Sequence, residues 1–313
     1  MSVWWIRLLG VTLLCAGTLV ACSSKTAQGS LKATSSPTSV TASPTALALA
    51  SLQGCDKPQV ARSLPTLVKL PVKPDDIVFD ANGDIWLSAT DAGKILELSP
   101  AGNQLAIVND PDGPEGIAPL PDGRIAVANQ RSNSIVVFRP GVTGFSTLFT
   151  LVNHTANLGV DGIFFDSVSQ RLLVPDSPNG RLFSVGVDGS SKLLVSTGLG
   201  RPVGVTTDAT GTIYTASETL PGIATVSGTG AISRIATFTN LDEVVYLNGL
   251  LYTANRATES LDAVDPTTGN SVELVTGGSS LQGLVATPDG RSLLLVDELT
   301  NSVTIAQPCS QNG

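Results

Sequence analysis

Short apolar runs separated by turn-forming residues recur along this chain, and they recur in a fixed order. The stretch "PEGIAPLPDGRIAVANQRSNSIVVF", residues 114–138, shows the unit. Two runs, GIAPL and RIAVAN, flank a Pro-Asp-Gly turn, and a third, SIVVF, follows a polar link. Runs this short, rich in Val, Ile and Leu and bounded by Gly, Asp and Asn, read as strands. Equivalent units begin at Asp75, Glu115, Asp161, Val203, Asp242 and Gln282, six copies about 40 residues apart. A weaker fourth run lies between copies: QLAIV, STLFTL, SKLLV, SRIATF and SVELV.

Four short strands at this period predict an all-β chain, a six-bladed β-propeller. Each blade needs a neighbour to cover its apolar face, so the ring must close. The sixth copy stops after its third strand at SVTIAQPC, while an unassigned run, SLPTLVKLP at 63–71, precedes the first copy. Placed as the missing outer strand, this N-terminal run completes the last blade. The propeller is expected over 55–313. Cys55 then lies just ahead of the closing strand and Cys309 just past its neighbour.

The first residues read "MSVWWIRLLGVTLLCAGTLVACSS". A positive Arg7, an apolar run and small residues at its end predict a secretory signal over 1–21. Leu19, Val20 and Ala21 before Cys22 resemble the bacterial lipobox, which implies cleavage before Cys22 and its acylation. Ser23 resembles the outer-membrane sorting choice. Residues 22–54, rich in Ser, Thr, Ala and Pro, predict a flexible tether. The chain is thus expected at the cell envelope, on the exported side, held to the membrane only through lipid. Cys15 leaves with the signal and Cys22 is acylated, so Cys55 and Cys309 are expected to pair in that oxidising compartment.

Inner strands of a propeller start at its central channel. The first residues of the six copies therefore gather around one axis, and four of them are acids, with Asp76 and Glu243 adjacent. A cluster of carboxylates repels itself unless a cation is present, and hard cations take several oxygens. The copies resemble NHL repeats. The six-bladed arrangement resembles the senescence marker protein–gluconolactonase (regucalcin-like) superfamily over residues 62–308. That resemblance implies a divalent metal, calcium or else zinc, held by Asp75, Glu115, Asp161 and Asp242. Glu115 in PEGI and Asp161 in VDGI match the motifs best; PDDI and LDEV lack the glycine. The family's asparagine ligands have no counterpart in this ring. Ala89, Asn129, Asp176, Ser217, Asn255 and Asp297, at the ends of the second strands, either line the channel as a second ring or sit in turns.

In the lactonase reading the cation polarises a carbonyl and a carboxylate, Asp161 or Asp242, takes a proton from water. The single histidine, His154, lies in the longest connection between blades, where it either approaches the channel mouth or is plain surface. Arg201 and Arg256, near blade ends, either meet an anionic substrate or are solvated. A net charge of −8 excludes nucleic acid as a partner. No Gly-x-Ser-x-Gly elbow and no phosphate-binding glycine loop is present. Two functions remain: a metal-dependent lactone or ester hydrolase taking a small molecule, or a non-catalytic propeller that binds a ligand or protein partner. A monomer is expected, since a closed ring covers its own edges.

Overall fold

The computed structural model describes residues 52, 55, 57–152 and 159–309. The signal, Cys22, most of the tether and His154 lie outside the described residues. Two short strands come first: β1 (Gln59–Val60) and β2 (Thr66–Lys69). Blade one follows as β3 (Ile77–Phe79), β4 (Ile85–Ala89), β5 (Lys94–Leu98) and β6 (Gln104–Asn109). Blade two is β7 (Pro114–Pro119), β8 (Ile125–Asn129), β9 (Ser134–Phe138) and β10 (Ser146–Thr150). Blade three is β11 (Phe164–Asp166), β12 (Arg171–Asp176), β13 (Arg181–Gly186) and β14 (Leu193–Thr197). Blade four is β15 (Pro202–Thr207), β16 (Ile213–Ser217), β17 (Ile223–Val226) and β18 (Ile232–Ile235). Blade five is β19 (Leu241–Leu247), β20 (Leu250–Asn255), β21 (Ser260–Val264) and β22 (Ser271–Thr276). Blade six is β23 (Leu281–Ala286), β24 (Leu293–Asp297) and β25 (Ser302–Ala306), completed by β2.

Within each blade consecutive strands pair antiparallel, and the six sheets form the expected six-bladed propeller. β2 joins β25 in the register Thr66↔Thr304 and Lys69↔Ser302, so the N-terminal run closes the ring as its sequence predicts. The Cys55–Cys309 disulfide lies at the same seam, with Cα atoms 5.6 Å apart. One strand is unforeseen: β1 adds to blade five in parallel, pairing Gln59 with Val275. Among the described residues no helix is long and apolar enough to cross a membrane.

Burial explains the order of strands. The middle strands carry most of the burial, and β4, β8, β9, β20 and β21 are buried at every position. Outer strands such as β6 alternate between exposed and half-buried positions. Apolar clusters bridge neighbouring blades: Ala118, Ala126 and Ile135 of blade two pack with Leu172 and Val174 of blade three. Burial at roughly 25 cal/mol per Å² therefore acts across blade boundaries and holds the ring together.

Candidate functional site

The inner strands do not run straight at their starts. In four blades the register slips where the ring residues lie: between Pro114 and Ile117, Pro202 and Val205, Leu241 and Val244, and Leu281 and Leu284. A bulge places an extra residue on one strand and re-aims its side chain. This brings both Asp242 and Glu243, neighbours in sequence, to the axis. The polar groups released by the irregular start find hydroxyl partners on second strands. Thr253 Oγ1 donates to the Glu243 carbonyl at 2.7 Å, and Thr215 Oγ1 to that of Gly204 at 2.9 Å.

The predicted ring forms. Asp75, Glu115, Asp161 and Asp242, with Asp76 and Glu243 one residue further in, wall a single cavity of about 10 Å³. That is room for about one water molecule. Where Asp76 and Glu243 stand in blades one and five, the other blades carry Gly116, Gly162, Gly204 and Gly283. A Cβ on Gly162 would lie 2.4 Å from the Val203 carbonyl oxygen of the next blade. One on Gly283 would lie 2.5 Å from that of Asp75. The missing side chains let inner strands touch, and Gly116 N–H donates to Asp161 O at 3.0 Å across that contact. Asp76 makes the equivalent link through its side chain, accepting from Ile117 N at 2.9 Å and from Ile77 N at 2.7 Å. Asp76 and Glu243 also border the next chamber, about 210 Å³ and lined by Ile77, Ile117, Val205, Val244 and Leu284. They are the floor of a charged mouth above an apolar channel.

Arginines offset part of the charge. Arg201 reaches Asp161 Oδ2 with both terminal nitrogens at 2.9 Å. Its Nε lies 3.1 Å from Glu218 Oε2. Arg256 Nη1 stands 2.8 Å from Glu218 Oε1 and 3.4 Å from Asp242 Oδ1. The chain Asp161–Arg201–Glu218–Arg256–Asp242 thus spans blades three, four and five. Both arginines are therefore engaged by acids, neither solvated alone nor open to an anion. Glu218 and Arg256 follow the second strands directly, the position that Thr90 holds in blade one and Glu298 in blade six. Of these four, only Arg256 stood out in the sequence, as a residue near a blade end.

Asp75 and Glu115 have no such arginine bond. They wall the same cavity, and Thr90 Oγ1 donates to Asp75 Oδ2 at 3.1 Å. Burial raises the pKa of Glu115 well above its ordinary value, and the charges of Asp75 and Asp161 add to it. Burial also raises Asp75, opposed by its bonds from Glu115 and Thr90. Asp161 is pushed up to about 7 by burial, with Arg201 pulling the other way. Asp76 rises to about 7 for the same first reason, opposed by the amides of Ile117 and Ile77. Asp242 and Glu243 are raised well above the usual range by burial, then by Asp161 and by Asp76 respectively.

The family resemblance implied a divalent cation on this ring. Among the described residues no three His, Cys, Asp or Glu side chains converge to hold a metal ion. Two of the four expected ligands are committed to arginine instead, so the donor set as arranged does not fit the metal. The second-strand ends form no second ring either. They are buried in the turns: Asn255 Oδ1 accepts from Ala257 N, and Asp297 accepts from Thr300 N and Ser279 N. Asp176 is tied to Asn179 and Arg181.

No protein-family model and no curated protein matches the chain. Solved structures do resemble it. A PQQ-bound aldose sugar dehydrogenase from Streptomyces coelicolor aligns at 15% identity and TM-score 0.68, over 78% of this chain and 96% of that one. A gluconolactonase from Xanthomonas campestris aligns at 13% and 0.64, over 78% and 88%. A virginiamycin B lyase from Staphylococcus aureus, captured with quinupristin, aligns at 17% and 0.60, over 76% and 82%. At these identities the likeness is one of fold, and the fold hosts unrelated chemistries.

Proposed function

We propose that this propeller takes a small polar molecule at the acidic mouth of its channel and hydrolyses it there, the substrate being a lactone or related ester. The observation that carries the proposal is the Asp75–Glu115 pair: two carboxyl groups that wall one small cavity, with raised proton affinity. Paired carboxyls whose environments push their pKa values apart supply an acid and a base at one place. Asp161 and Asp242, the bases expected from sequence, are pinned by Arg201 and Arg256, which moves the proton transfers to Asp75 and Glu115.

In the proposed step Asp75 takes a proton from a water whose oxygen attacks the substrate carbonyl carbon. Glu115 gives its proton to the ring oxygen as the carbon–oxygen bond breaks. The products are a carboxylic acid and an alcohol, joined in one molecule when the substrate is a lactone. Transfer of a proton from Asp75 to Glu115 restores both groups. No step is routed through calcium or zinc, because the acids do not converge on one point.

One observation favours a second reading. A cavity of about 10 Å³ admits water but no sugar-sized ring, so substrate must sit outside it. Should nothing be turned over there, the acids serve to close the channel and a protein partner docks on the rim. The discriminating experiment screens the full-length chain against aliphatic and sugar lactones and aryl esters. Hydrolysis that falls about 100-fold or more in Glu115→Gln and in Asp75→Asn, with melting unchanged, supports the enzyme. Equal rates in the variants, or none in the wild type, reject it. The Cys55–Cys309 disulfide supports the proposed exported location. Release of the chain from membranes in a Cys22→Ser variant tests the lipid anchor.

A further inference from the structure

Two oxygens at the crossover between blades one and two are buried and have no partner. Asp110 follows β6 and begins the segment Asp110-Pro111-Asp112-Gly113, which delivers Glu115 to the mouth; Asn129 ends β8. Each is 2% exposed. Asn129 Nδ2 donates to Asp110 Oδ1 at 3.2 Å, and the Asp112 amide donates to the same oxygen at 3.2 Å. Asp110 Oδ2 and Asn129 Oδ1 are left without a hydrogen-bond partner. Buried polar atoms in that state are rare and call for a cause.

Neighbouring backbone amides are committed elsewhere. Asp110 N donates to Gly93 O, Gln130 N to Gly113 O, and Arg131 N to Asp112 O. Arg131 Nη1 and Nη2 brace the outside of the segment through the Pro111 and Thr90 carbonyls. The charge of Asp112 adds to that of Asp110. The orphan pair therefore consists of a carboxylate oxygen and an amide oxygen, beside a second carboxylate that is solvent-exposed. That set of hard, oxygen-only donors is suited to a hard cation, and the exposed Asp112 gives such an ion a way in.

We propose that Asp110, Asn129 and Asp112 bind a hard cation of the calcium class, separate from the channel mouth. The ion neutralises the buried carboxylate and ties β8 to the crossover, fixing the segment that presents Glu115.

The test strips the full-length chain with chelator and titrates calcium chloride by calorimetry, with thermal melting alongside. The site predicts saturable binding of one ion and a melting temperature that rises with calcium, as mass action requires. Asp110→Asn, which keeps volume and removes charge, weakens binding at least tenfold. Asn129→Asp, which adds a carboxylate, tightens it and covers the case in which Asp110→Asn does not fold. Glu115→Gln leaves it in place. No heat and no melting shift, or a response that persists in Asp110→Asn, overturns the proposal. So does a response lost in Glu115→Gln, which would move the ion to the mouth. Hydrolysis at the mouth is read by turnover and this site by calcium binding, so either idea can fail alone.

Discussion

Gly116, Gly162, Gly204 and Gly283 stand where Asp76 and Glu243 stand in the other two blades, and the difference decides what each position does. Glycine lets backbones meet, whereas the two acids fill the axis with carboxylate. On Gly116 a Cβ would lie 2.6 Å from Ile163 N and 2.7 Å from Asp161 O, both backbone atoms that cannot swing away. Gly116→Ala should therefore cost about 1–3 kcal/mol, an overpacking penalty read as a lower denaturation midpoint. In Gly204 the nearest obstacle is Glu243 Oε1 at 2.3 Å, a side chain, though Glu243 Cα follows at 2.7 Å. At this scale the acids were legible, because repeated first positions mark the axis whatever the side chain. The pairing was not. That Arg201 and Arg256 turn inward to Asp161 and Asp242 depends on side-chain directions, and a repeat alignment records positions only. The same limit left Asn129 and Asp297 undecided between channel and turn; Asn129 donates to the Asp110 carboxylate, and Asp297 accepts from the Thr300 amide.

Strands carry the seam. β2 was readable because blade six lacks a fourth run and a spare apolar run precedes blade one. β1, two residues pairing in parallel on β22, has no alternation to betray it. Gln59 and Gln307 exchange side-chain to backbone hydrogen bonds at 2.9 and 3.2 Å beside it, a second tie across the same closure. The disulfide joins positions 254 residues apart, so it removes much of the freedom of the open chain. Loss of that link in Cys55→Ser is expected to lower stability by about 2–5 kcal/mol. A reducing agent should reproduce the loss in the wild type and leave Cys55→Ser unchanged, as differential scanning calorimetry would report. The irregular starts of β7, β15, β19 and β23 were invisible in the apolar pattern, since a bulge changes register without changing composition.

The whole molecule concentrates acid, only partly offset by arginine, at one end of its channel, and its stability should report that through pH. Burial raises Asp76 and Asp161 to about 7 and lifts Glu115, Asp242 and Glu243 well above their ordinary values. The folded chain thus holds more protons than the unfolded chain between roughly pH 4 and 7. By linkage stability falls as pH rises through that window. Surface acids with lowered values, such as Asp122 and Asp188, act in the opposite sense only below it. The melting temperature should be higher at pH 5 than at pH 7.5, and Glu243→Gln should flatten the slope. A melting temperature that climbs from pH 5 to 7.5 would mean the mouth acids are ionised and compensated in the fold.

The mouth as an acid–base centre is tested most directly by the pH dependence of turnover on a hydrolysed lactone, in wild type and Glu115→Gln. The predicted wild-type profile is bell-shaped, its acidic limb set by ionisation of Asp75 and its alkaline limb by loss of the Glu115 proton. Glu115→Gln should keep a residual rate without the alkaline limb. The same bell in both proteins, or no hydrolysis at any pH, would contradict the assignment of this chemistry to the Asp75–Glu115 pair.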